Sequence, residues 1–74
     1  MQRSVTVPGL TAVLTSEKEH RMVRHEAAEA LGAIGGADVE AILSGYKEDE
    51  EPVIKESCVV ALDTMEYWSN EFAH

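Results

Sequence analysis

His25 and Glu26 stand side by side, and Glu29 follows four residues after the histidine. Imidazole and carboxylate are donors that iron(II) accepts, and two His with one carboxylate around open positions is the recipe for O2-using iron sites. Residues four apart meet on a helix surface, so His25 and Glu29 can touch. On a wheel of about 100° per residue with Val23 at zero, the apolar stripe Val23, Ala27, Ala30, Leu31 and Ile34 covers about −20° to +80°. His25, Glu29 and Glu26 fall near 200°, 240° and 300° by the same spacing of about 100° per residue, a polar sector turned away from that stripe. One helix supplies one His here, so a complete ligand set needs a second from another segment. His20 lies in a connector and His74 is the last residue. A solvated helix face is the alternative reading of the same side chains.

The elements that must carry this sector are helices. Apolar residues recur at helical spacing four times, with short breaks between. The spacing predicts helices over 8–15, 22–34, 38–45 and 53–67, with Pro8 in a first turn, Gly35-Gly36 as a stop and Asp38 as an N-cap. The expected core is Leu10, Leu14, Val23, Ala27, Leu31, Ile34, Ile42, Leu43, Ile54, Cys58, Leu62 and Met65. The halves repeat. Val23 to Leu31 aligns with Ile54 to Leu62 at an offset of 31 residues, and Leu10, Val13 and Leu14 align with Val39, Ile42 and Leu43 at an offset of 29. A short-helix, turn, long-helix unit near 30 residues is an α-solenoid pattern. The fold class expected is therefore all-α, an α-α superhelix of about two helical hairpins and four helices. A single domain over 1–74 divides into one repeat at about 7–36 and another at about 37–69. Such units ordinarily need at least three neighbours for stability, so the chain is expected to be a piece of a longer array or to associate with a copy of itself.

Composition narrows the partners. With 74 residues there is room for one small domain, and dinucleotide folds, barrels and complete proteases are excluded by length. Aromatics reach 5% while nine residues are Ala, which suits closely packed helices. Fourteen acids against six bases give a net charge of −8. A surface of that sign repels phosphate backbones and anionic lipid, so neither nucleic acid nor membrane is an expected partner, whereas a cationic peptide or a metal ion would be attracted. Cys58 is the single cysteine, and no signal peptide is evident, so a cytoplasmic setting is expected.

The stretch Arg24-His25-Glu26-Ala27-Ala28-Glu29-Ala30-Leu31-Gly32-Ala33-Ile34, preceded by Met22-Val23, resembles the His-Glu motif of the deoxyhypusine hydroxylases. Val53 to Asp63 resembles the closing repeat of that family, and the likeness runs over about residues 7–68, in the order of the family's C-terminal end. A wider likeness to HEAT-like repeats of the bilin-lyase type rests on the Val-Arg, Ala-Ala and Ala-Leu-Gly-x-Ile skeleton, which is packing. The resemblance implies HEAT-like repeats, and a di-iron monooxygenase that hydroxylates the deoxyhypusine side chain of translation initiation factor 5A. It implies His25 and Glu26 as metal ligands for Fe(II), the last of four such pairs in the family. It also implies translation initiation factor 5A in its deoxyhypusine form as partner, together with N-terminal repeats that this sequence lacks or a self-associated copy. The second repeat has Glu56 and Ser57 where the first has His25 and Glu26, so the chain carries one pair, an incomplete site, and is expected to be inactive alone. A stand-alone interaction module without catalysis is the competing reading.

Other conspicuous residues read as structural. Cys58 falls on the apolar stripe at the place of Ala27 and is expected to be a small buried hydrophobe. Gly32, Gly35 and Gly36 follow no strand, so they are not a phosphate loop. Met65, Tyr67 and Trp68 are expected to cap the open end of the array, with peptide docking as the alternative. Glu48 to Glu51 form an acidic connector, read as a solvated loop that could also steer a basic substrate.

Overall fold

A computed structural model describes residues 6–72. Four helices follow one another among these residues: α1 (Val7–Thr15), α2 (Arg21–Ile34), α3 (Ala37–Ser44) and α4 (Pro52–Phe72). The N-cap Thr6 accepts the Gly9 N–H through Oγ1 at 3.2 Å, and Pro8 sits in the first turn, where its missing N–H is not needed. α2 begins at His20, whose Nδ1 accepts the Met22 N–H at 3.1 Å. The connector histidine is thus a helix cap, a role its sequence position did not suggest. α2 stops where Gly35 and Gly36 take φ of 73° and 101°, a backbone region that side chains disfavour.

α1 packs on α2 and α3 on α4, and α2 and α4 lie against each other along their length. The short connections return the chain on itself within each pair. The result is two stacked helical hairpins, the all-α architecture of a repeat superhelix. Leu14, Ala27, Ala28, Leu31, Val39, Leu43, Ile54, Cys58 and Ala61 form the buried core. Leu10, Ile42, Leu62 and Met65 pack around it half-buried, and Val23 is also half-buried.

Several expectations need correcting. Ile34 is 49% exposed, because the buried face of α2 is Arg24, Ala27, Ala28 and Leu31, turned about 60° on the wheel from the expected stripe. Arg24 explains the turn. Its Nε donates to the Leu14 carbonyl at 2.7 Å at the end of α1, and its guanidinium lies 3.6 Å from Asp49. A charge that is hydrogen-bonded and paired can be buried where a bare one cannot. The connector is therefore not simply solvated, since Asp49 is held by Arg24 and also accepts the Glu51 N–H at 2.8 Å. Asp38 is not the cap of α3: the helix starts one residue before it, from Gly36, and Asp38 lies in the first turn. α4 continues to Phe72, past the expected 67.

Candidate metal centre

The candidate ligands sit on α2, and the side of that helix facing α4 decides how they are held. Gly32 lies seven residues, or about two turns, beyond His25 on this side. A Cβ added at Gly32 would stand 3.0 Å from the Ala61 Cβ, so the lack of a side chain lets α2 and α4 approach closely. One turn before Ala61, the same seam brings Ser57 to His25. His25 Nδ1 lies 2.5 Å from Ser57 Oγ, and Ser57 Oγ lies 2.5 Å from the Val53 carbonyl oxygen. The other ring nitrogen, Nε2, points to the open side, 2.9 Å from Glu29 Oε1.

His25 is half-buried, Ser57 is buried, and Glu26 and Glu29 are exposed. The polar sector expected from the wheel exists, with one change: His25 does not simply face away from the core but is wedged against α4 by Ser57. Glu29, not Glu26, is the carboxylate that touches the imidazole, and Glu26 stands next to it on the outer face of α2. His20 caps α2, and His74 lies outside the described residues. Among the described residues, no three His, Cys, Asp or Glu side chains converge to hold a metal ion. Ser57 is the residue that sequence reasoning missed. Aligned with Glu26, it looked like a lost ligand; its place between Ile54, Cys58 and Ala61 was the signal that it faces a neighbouring helix.

His25 and Glu29 open onto a broad groove on one face of the two hairpins, which Glu40, Glu56, Glu66 and Trp68 also line. The His25 imidazole and the Glu29 carboxylate open on the groove, donor types that iron(II) accepts, while the ring's inner nitrogen meets a hydroxyl. Tyr67 and Trp68 stack edge to face with centroids 5.2 Å apart, and both are at least half exposed.

Comparison with known proteins agrees with this architecture. The pattern of HEAT repeats matches residues 1–63. Deoxyhypusine hydroxylase of Drosophila pseudoobscura pseudoobscura is 52% identical over 67 residues, 90% of this chain and 22% of that protein. The enzyme of the same name from Candida albicans is 49% identical over 75 residues, covering the whole chain and 24% of the relative. A structure of human deoxyhypusine hydroxylase in complex with glycerol superposes with a TM-score of 0.79 at 51% identity, over 82% of this chain and 21% of that one. The chain thus spans about a fifth of the length of the curated relatives it matches. No described helix is long and apolar enough to cross a membrane. Two stacked hairpins, a 31-residue internal repeat and a pattern match over most of the sequence lead to one conclusion: the chain belongs to the HEAT-repeat family.

Proposed function

We propose that this chain contributes one ligand pair, His25 and Glu26, to a di-iron centre of a deoxyhypusine hydroxylase, acting on the deoxyhypusine side chain of translation initiation factor 5A in the cytoplasm. The observation that carries the reading is identity of about one half with enzymes of that name over a match that spans His25 and Glu26. The structure adds a chemical rationale, an imidazole whose Nε2 lies beside the Glu29 carboxylate at the groove. Iron(II) with open positions supplies O2 activation for hydroxylating a C–H bond. The chain's own part is to hold ligands and to attract substrate. Glu29, Glu40, Glu56 and Glu66 make the groove acidic, which suits a side chain bearing amines.

One His and two carboxylates leave the coordination sphere incomplete, so the remaining ligands come from a further hairpin or a second copy. Val23 and Ala30, half-buried on the side of α2 away from α4, offer packing surface for such a hairpin. The test is anaerobic Fe(II) titration of the chain alone and of the chain joined to the remaining hairpins of a deoxyhypusine hydroxylase. Each is measured with and without His25→Ala. Weak binding by the chain, tight binding by the joined protein, and loss of metal and activity on the substitution are expected. Tight binding by the chain that survives His25→Ala refutes the assignment, as does a joined protein whose metal content and activity are indifferent to it. Hydroxylation by the joined protein also separates this reading from an interaction module without catalysis.

A further inference from the structure

We propose that the groove beyond His25 docks a basic polypeptide segment, which sets one large apolar side chain on Ile34, Val60, Met65 and Trp68 while its lysines or arginines meet the glutamates around them. All four apolar residues line the groove. Ile34, Val60 and Trp68 are about half exposed, and Met65 packs half-buried against the core. Single exposed apolar side chains are ordinary, but a cluster rimmed by polar groups marks a place for a partner. The small residues Gly32, Ala33 and Ala61 line the groove with them and leave room for an incoming side chain. Position along α4 separates this patch from the candidate ligands. Ser57 touches His25, and Val60 to Trp68 lie about 5 to 17 Å farther along the helix at about 1.5 Å per residue. An extended chain advances about 3.3 Å per residue, so a segment of about four residues spans the patch.

Charge selects the occupant. Glu29, Glu40, Glu56 and Glu66 line the same groove, and none of the described Lys or Arg side chains does. An apolar centre with a charged rim is the anatomy of a protein interface, and a rim of one sign calls for the other sign on the partner. A second copy of this chain, at a net charge of −8, answers that rim poorly, and nucleic acid or anionic lipid is repelled outright. Trp68 sharpens the match. Tryptophan is favoured among the residues that dominate binding, and its ring face attracts cations. Further hairpins of a longer array stack at its ends, so this face stays open beside them. That the segment flanks a reacting side chain rests on the function proposed above; the docking itself needs no iron.

Trp68 is the single tryptophan, so the emission of the intact chain reports on this patch. Iron-free protein is titrated at low salt with a lysine-rich peptide carrying one leucine. Two controls replace the leucine by alanine, or every lysine by glutamate. The leucine peptide is expected to shift the emission to the blue with saturation. The alanine peptide should need about tenfold more for the same shift, because burial of the leucine side chain is lost, and the glutamate peptide should not bind. Ile34→Ser and Val60→Ser change exposed positions, so helicity should persist while the leucine peptide weakens toward the alanine one. Glu40→Gln with Glu66→Gln should flatten the dependence of binding on sodium chloride. The proposal is overturned if no saturable shift is seen, if leucine and alanine peptides bind equally, if the glutamate peptide binds, or if Val60→Ser binds in full. Emission that shifts with protein concentration alone, with a doubled mass in sedimentation, puts a second copy on the patch and overturns it too. With no iron present, failure here leaves His25 and Glu26 to the Fe(II) titration, and failure of that titration leaves the docking result intact.

Discussion

Cys58 occupies the place in α4 that Ala27 occupies in α2, and both are buried. Burial pushes the Cys58 thiol from 9.0 up to about 11; the Asp49 carboxylate adds to the rise and the Arg24 guanidinium opposes it. A raised folded value means that the unfolded chain loses this proton first as pH increases. The stabilising contribution is complete below about pH 9 and is lost as pH rises through about 11. Across that window the wild type should lose about 2 kcal/mol more than Cys58→Ala, measured by urea unfolding at a series of pH values. Parallel profiles for the two proteins would show that folding does not raise the thiol above its ordinary value. At this scale the sequence was readable where a side chain has one plausible environment. Cys58 on an apolar stripe was such a case. His25 was half readable: its neighbours in sequence marked it as a ligand candidate, but its partner on α4 lies 32 residues away and is set by helix approach. Arg24 was not readable, because nothing local marks a guanidinium whose acceptor is a carbonyl ten residues earlier.

Between elements, the two long helices share a sequence skeleton yet bury different faces. α2 buries Arg24, Ala27, Ala28 and Leu31, whereas Ile54, Ser57, Cys58 and Ala61 are buried in α4; these align with Val23, Glu26, Ala27 and Ala30. The frames differ because α2 lies between α1 and α4, while α4 has described neighbours only on the side of α2 and α3. Periodicity therefore gave the helices and most of their core, and missed the rotation that exposes Ile34. A wheel measures where apolar residues gather, not how many neighbours a helix has. The seam between the two helices offers a direct test. Gly32→Ala places a methyl 3.0 Å from the Ala61 Cβ, on a backbone that cannot yield as a flexible side chain would. Overpacking costs about 1–3 kcal/mol, and the gain in helix propensity of about 1 kcal/mol offsets part of it, so a net loss near 1 kcal/mol is expected. Moving the methyl across, in Gly32→Ala with Ala61→Gly, should return stability to near the wild type, since one helix gains the propensity that the other gives up. Thermal or urea unfolding of the three proteins decides it. A double variant less stable than Gly32→Ala alone would show that contact at the seam is not what glycine provides.

For the molecule as a whole, charge is the property that acts at long range. Eight net negative charges are carried on a body of 41 × 29 × 16 Å. At about 0.01 M ionic strength the Debye length is about 30 Å, comparable with the molecule itself, so every acid feels every other. Near 1 M it falls to about 3 Å, and only adjacent groups interact. Self-repulsion of one sign destabilises the compact state, and screening relieves it. The attractions that salt would also weaken are few among the described ion pairs. Arg24 with Asp49 is largely buried and therefore less screened, and His25 with Glu29 lies at the surface, where such pairs contribute little. Sodium chloride should thus raise the melting temperature between about 0.01 and 0.5 M. A relief of about 1 kcal/mol corresponds to about 4–8 °C for a domain of this size. The rise should shrink if acidic residues of the open groove, such as Glu40, Glu56 and Glu66, are replaced by glutamine, because the same repulsion is then absent at low salt. A melting temperature that falls with added salt would mean that attractive pairs outweigh the net charge. The acidity of the groove would then be balanced within the fold, leaving no field to draw a cationic side chain toward His25.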